Sequence, residues 1–139
     1  IGGHSDKGML PLIEKAVRNS VPVSEFLSEE RMTQVVEDTK VGGATLTGLL
    51  GTSAWYAPGA AVSALVQAIG CDQKKMFPCS ALLEGEFGLS DISIGVPCIL
   101  GANGIEKIVE IELSASEKAK LVESAEGVRK TNGLLEVNA

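Results

Sequence analysis

His4 is the only histidine in the 139-residue chain, and it stands between Gly2-Gly3 and Ser5-Asp6. Imidazole is the side chain whose unperturbed pKa lies near neutrality, as needed by a group that takes a proton from an alcohol and returns it to a carbonyl. Taken alone, a histidine near a chain end is more often solvent-exposed or structural than catalytic. A catalytic imidazole also needs a carboxylate to orient it. Asp6 is too close in sequence for its reach to be assumed, so that partner is expected elsewhere or missing.

A second constellation is Gly51-Thr52-Ser53-Ala54-Trp55-Tyr56-Ala57-Pro58, which places the only Trp and the only Tyr side by side at a helix entrance. Helix N-termini expose amide donors suited to anions, and small residues beside them leave room for a ligand. The competing reading is that both aromatics anchor a core. Glu84, Glu86 and Asp91 read as a solvated acidic loop rather than a metal site, because a hard cation needs several converging oxygens. Cys71, Cys79 and Cys98 are widely spaced, with no CxxC pair and no second His. That spacing argues against a disulfide framework, a zinc site and a catalytic thiol. The three are expected as small, partly buried apolar groups in a reducing cytoplasm.

The elements that must position these residues follow from periodicity and turn chemistry. Met9 to Val23, broken by Pro11, Asn19-Ser20 and Pro22, suggests two short extended pieces around a turn. Ser28 with Glu29-Glu30 predicts a capped helix running to Leu50. Gly42-Gly43 inside it suggests a kink or close helix packing. A second helix is expected from Ala57 to Gly70, and its small residues suit a closely packed buried helix. Lys75 to Phe87, Ile92 to Leu100 and Ile105 to Ile111 suggest a three-stranded antiparallel meander, with Ala102-Asn103-Gly104 as its turn. Ser114-Ala115-Ser116-Glu117 predicts a capped final helix carrying Ala119, Leu121, Val122, Ala125, Val128 and later Leu134. The order is strands, helices, strands, helix, an α+β layout without alternating βαβ units. Neither GxGxxG nor GxxxxGK[ST] occurs, so nothing here makes a phosphate cradle.

Bulk composition bounds the rest. Hydrophobic residues at 45% and charged residues at 22% fit a folded globular chain with one core. The apolar run Ala60 to Ile69 is too short to span a bilayer, which takes about 20 residues. Twelve basic residues against eighteen acidic ones give a formal net charge of -6, and the basic residues form no patch, so neither nucleic acid nor membrane is an expected partner. The opening Ile1-Gly2-Gly3-His4 has no signal-peptide character and reads as an internal cut.

Taken together, these segments resemble the lactate/malate dehydrogenase family. Ile1-Gly2-Gly3-His4-Ser5-Asp6 followed by Met9-Leu10-Pro11 is similar to the family's Gly-Gly-His-Gly-Asp motif with its Met and Pro. The match continues through Val41-Gly42-Gly43-Ala44, Gly51 to Pro58, Pro78-Cys79-Ser80, Leu83 to Gly88 and Ile94-Gly95-Val96-Pro97. The Ser-Ala-aromatic-Tyr-Ala-Pro run is closer to the bacterial malate branch.

The resemblance implies that residues 1–139 are a C-terminal catalytic, substrate-binding domain, with an antiparallel sheet packed against long helices. It implies NAD as cofactor, the malate/oxaloacetate interconversion of the tricarboxylic acid cycle, and a homo-oligomer. It also implies His4 as proton acceptor and donor, Ser53, Ala54 and Pro58 as neighbours of substrate and nicotinamide, and no metal. A small Ala54 would leave room for a dicarboxylate. Lys7-Gly8 sets Met9 one residue further from His4 than the family pattern does.

Absent from these residues are the family's N-terminal Rossmann half, its mobile-loop arginines, and the Asp-x-x-Arg segment that orients the histidine and clamps the substrate. The isolated chain is therefore expected to be catalytically silent. The rival expectations are a non-enzymatic interaction module that kept the fold, or the same domain of a lactate dehydrogenase.

Overall fold

In the computed structural model, which describes residues 1–135, Ser28 starts the first long helix. Its Oγ accepts the Arg31 N–H at 3.3 Å, and Glu29 and Glu30 fill the electropositive first turn. Helix α1 spans Glu29–Leu50 and ends at Gly51, whose left-handed φ of 67° closes the last turn. Ahead of it, strands β1 (Val17–Arg18) and β2 (Val21–Pro22) form the expected hairpin. Asn19 and Ser20 carry its turn at φ 50° and 66°, a pair of positive values that matches strand twist.

Pro11–Ala54 forms one compact unit, and Ile1–Leu10 with the residues from Trp55 onward forms another. A single core was the expectation from length; the hydrophobic core cluster lies wholly in the second of these units. Positions 136–139 of the expected 1–139 span lie outside the described residues.

In that unit, helix α2 spans Tyr56–Gly70, strand β3 Lys75–Glu84, strand β4 Ser90–Gly101, strand β5 Gly104–Ile108 and helix α3 Ala115–Asn132. The strands form the expected antiparallel meander in the order β3-β4-β5. On β4 the alternation is strict: Ile92, Ile94, Val96, Cys98 and Leu100 are buried, because successive side chains point to opposite faces. Leu121 and Ala125 of α3 join this face with Ala81, Leu83, Phe87 and Leu89, and Ile1, Leu10 and Val128 pack against the cluster. Burying a side chain of Leu or Ile size stabilises by about 1.5–3 kcal/mol. The β4 strip is thus a main source of stability.

Helix α3 begins with a capping box. Ser114 Oγ accepts the Glu117 N–H, and the Glu117 carboxylate accepts the Ser114 N–H. It ends at Asn132, so Leu134 lies beyond it rather than on it.

Three expectations are corrected. Helix α2 is not buried: of its residues only Ala68 is, while Val62 and Val66 are exposed. Its small side chains would permit close packing without requiring it. Gly42 and Gly43 sit in a continuous helix, and a Cβ added at either would meet nothing within 4 Å among the described residues, so neither a kink nor a close contact is seen there. Of the cysteines, Cys71 is exposed, Cys79 half-buried and Cys98 buried.

Gly95 marks a close backbone approach on β4, since a Cβ there would lie 2.7 Å from the Gly2 carbonyl oxygen. Gly95→Ala should lower the unfolding free energy by about 1–3 kcal/mol through overpacking. Ser93→Ala, exposed on the same strand, should stay within about 0.5 kcal/mol of the parent. Urea unfolding of the two variants checks this, and equal midpoints would contradict it. Burial pushes the thiols of Cys79 and Cys98 above their ordinary value, and the thiolate is the reactive form. A disulfide-exchange reagent at pH 8 should therefore label Cys71 first and Cys98 last. A fast phase that survives Cys71→Ser would contradict that order.

Candidate functional site

The site begins with a backbone constraint. Gly2 and Gly95 exchange both of their hydrogen bonds, Gly2 N–H to Gly95 O at 2.8 Å and Gly95 N–H to Gly2 O at 3.0 Å. Because β3 pairs along nearly the whole of β4 and β5 pairs only from Cys98 onward, Gly2 occupies the other edge of β4, ahead of β5. Gly2 also bridges to Met9, and Leu10 N–H donates to Ile1 O at 2.8 Å. Ile1-Gly2 and Met9-Leu10 are therefore the two limbs of a stem, and Gly3 to Gly8 is the loop it carries, with His4 near its start.

Inside that loop Met9 N–H donates to Ser5 O at 2.8 Å, Ser5 N–H to Gly3 O at 3.0 Å, and Gly8 N–H to Ser5 Oγ at 2.9 Å. Lys7 and Gly8 thus lie in a closed turn. From outside the loop, Ser124 of α3 reaches both limbs: its Oγ accepts the Gly3 N–H at 2.8 Å and donates to Gly8 O at 2.7 Å. The glycines are required by space. A Cβ on Gly2, which has φ 97°, would meet Gly8 O at 2.3 Å, and one on Gly3 would meet Val128 Cγ2 at 3.1 Å.

The result is an exposed imidazole on a backbone held at both ends. Among the described residues, no hydrogen bond or ion pair of the His4 side chain is found, and Asp6 is not its partner. An imidazole so placed can accept and donate a proton at a reactant brought to it.

Ser53 is exposed and Ala54 half-buried, in the irregular stretch after Gly51 that closes the smaller unit. Pro58 lies in the first turn of α2, where its missing N–H costs no helical hydrogen bond. The structure thus puts His4 and Pro58 in one compact unit and Ser53 and Ala54 in the other. Trp55 and Tyr56 are not core anchors, being 70% and 93% exposed.

In the acidic stretch, the Glu86 carboxylate accepts the Glu84 N–H at 2.7 Å, and backbone donors lower its pKa from the ordinary value. It shapes the turn into Phe87, whose positive φ of 55° is held by an N–H bond to Glu110 at 2.6 Å. An open groove of about 390 Å³ beside Phe87, Glu110 and Lys118 includes none of the four candidate residues in its lining.

Sequence reasoning did not foresee the residues that hold the His4 loop in place. Ser124 stands on the buried stripe Leu121-Ser124-Ala125-Val128, where a polar residue at core spacing is the signal that could have found it. Gly95 inside an alternating strand was the corresponding signal for a close backbone approach.

The family model for the lactate/malate dehydrogenase alpha/beta C-terminal domain matches residues 1–133. The malate dehydrogenase of Bacteroides fragilis is 62% identical over 135 residues, covering 97% of this chain and 43% of that protein. Among solved structures, the malate dehydrogenase of Salinibacter ruber superposes with a TM-score of 0.91 at 44% identity, over 95% of this chain and 43% of its own. The lactate dehydrogenase of Cryptosporidium parvum, solved with lactic acid and nicotinamide adenine dinucleotide, has a TM-score of 0.91 at 33% identity, over 99% of this chain and 45% of its own. The chain spans less than half the length of these relatives. With residues 1–133 matched to that model and the fold shared at this identity, the chain belongs to the lactate/malate dehydrogenase family, and it has the fold of that family's C-terminal domain.

Proposed function

We propose that this chain is the substrate-binding, proton-transferring part of an NAD-dependent malate dehydrogenase that interconverts (S)-malate and oxaloacetate. The observation that carries this reading is the presentation of His4, an exposed imidazole on a loop pinned to the central strand by Gly2 and Gly95. As the hydroxyl-bearing carbon of malate is oxidised, the neutral ring takes the hydroxyl proton. In the reverse direction the protonated ring returns it to the carbonyl oxygen. A group that titrates near neutrality serves both directions.

The described residues do not fit a dinucleotide by themselves. All of their strand pairings are antiparallel, and no strand leads through a glycine-rich turn into a helix, so the pyrophosphate has no cradle. NAD is accordingly assigned to a nucleotide-binding half outside these residues, in keeping with relatives more than twice as long. The carboxylate that orients His4 belongs there too, which agrees with the absence of a His4 partner among the described residues. Ser53, Ala54 and Pro58 are assigned to the pocket wall, and the small Ala54 favours a dicarboxylate over lactate.

Val62, Val66 and Ile69 on α2 are exposed large apolar side chains, a surface that favours burial against further protein. This supports a homo-oligomeric enzyme containing the nucleotide-binding half. The free thiols of Cys71, Cys79 and Cys98 support a reducing, cytoplasmic setting.

The purified 139-residue chain should give no malate-dependent reduction of NAD, and measurable turnover would overturn the assignment of its missing parts to another half. In the full-length enzyme, His4→Asn should lower kcat by about 10²- to 10⁴-fold while the protein stays folded by circular dichroism. Unchanged turnover would remove His4 from the mechanism.

A further inference from the structure

The geometry points to Ser124 as the positioning residue for His4, holding through one hydroxyl both limbs of the loop that presents the imidazole. The inference rests on the reading of His4 as the proton-transfer group. Its second support is independent of that reading. Ser124 is buried at 9% exposure, and it is the only buried polar residue among the described ones. Burying a hydroxyl costs free energy unless its bonds are made, and this hydroxyl makes both of its bonds to the loop rather than to its own helix.

The arrangement is stiff for identifiable reasons. Helix α3 is fixed against the sheet by Leu121 and Ala125, one on either side of Ser124 in its buried stripe. A hydroxyl has one proton to give, and here it goes to Gly8 O; a lone pair takes the Gly3 N–H. The Gly3 amide is one residue from His4, so this bond fixes the Gly2–Gly3 peptide plane immediately ahead of the histidine. The Gly8 carbonyl closes the far limb. Below both, the Gly2–Gly95 pair ties the stem to β4. Cutting the Ser124 bonds leaves the sheet and the stem intact but frees the loop to pivot about its base. A misplacement of about 1 Å in a catalytic group costs on the order of 10²-fold in rate.

The test uses the full-length enzyme that the proposed function assigns to this chain, with malate oxidation followed at saturating substrate. Ser124→Ala should lower kcat by about 10- to 100-fold with KM little changed, since an interaction that matters only at the reacting centre leaves ground-state binding alone. Ser124→Thr, which keeps the hydroxyl, should restore kcat to within about threefold. Ala68→Gly, buried on α2 and outside the loop and its anchors, should lower the melting temperature while leaving kcat unchanged below it. In a His4→Asn background the Ser124→Ala effect should vanish, because a residue acting through His4 has nothing left to position.

Full kcat in Ser124→Ala alongside a dead His4→Asn overturns the positioning role and leaves the His4 reading standing. Full kcat in His4→Asn overturns that reading first. If Ser124→Ala does not fold, Ser124→Thr decides: folded with near-normal kcat it supports the role, and folded with kcat as low as His4→Asn it overturns it.

Discussion

The reciprocal hydrogen bonds between Gly2 and Gly95 are the constraint on which the rest of the described site depends. They require two residues without side chains, because a Cβ on either would enter the space of a backbone oxygen. They also require β4 to be the central strand, buried on one face by α3, so that its edge is a fixed reference. The core therefore acts as the base plate of the loop. Ile1 and Leu10, on the two limbs of the stem, pack against the same cluster that contains Ile94 and Val96, so the packing that stabilises the sheet also sets the position from which His4 departs.

Much of this was legible in the sequence, and the legible parts share a cause. Ser28 with Glu29-Glu30, Ser114 with Glu117, Gly51 as a helix stop and the three-strand meander are all decided within a few residues of themselves, by capping, alternation and turn chemistry. His4 stood out as a candidate because it is the only imidazole. The illegible parts depend on residues far apart. The bonds from Ser124 to Gly3 and Gly8 cross more than a hundred positions, and no local rule says which loop a buried hydroxyl faces. The small residues of α2 permitted burial, and Val62 and Val66 are nonetheless exposed, because composition states what a face can pack against and not whether anything covers it. Gly42 and Gly43 make the same point: a glycine pair invites a close neighbour, and among the described residues none takes the place.

The division of labour in the site follows from element type. His4 stands on a loop whose backbone is pinned from three directions, by a strand, by a helix and by its own turn. Of the residues assigned to the pocket wall, Pro58 lies in the first turn of α2, and Ser53 and Ala54 lie in the irregular stretch that closes the other unit.

The short reach of β5 has one more consequence. Because β5 pairs only from Cys98 to Gly101, the earlier half of β4 would present unpaired amides and carbonyls on that edge, the kind of surface that recruits strands from other chains. Gly2 occupies that gap. The stem that carries His4 is therefore also the edge guard of the sheet, and a chain in which it came loose would lose the placement of its imidazole and gain an open template for aggregation in the same event.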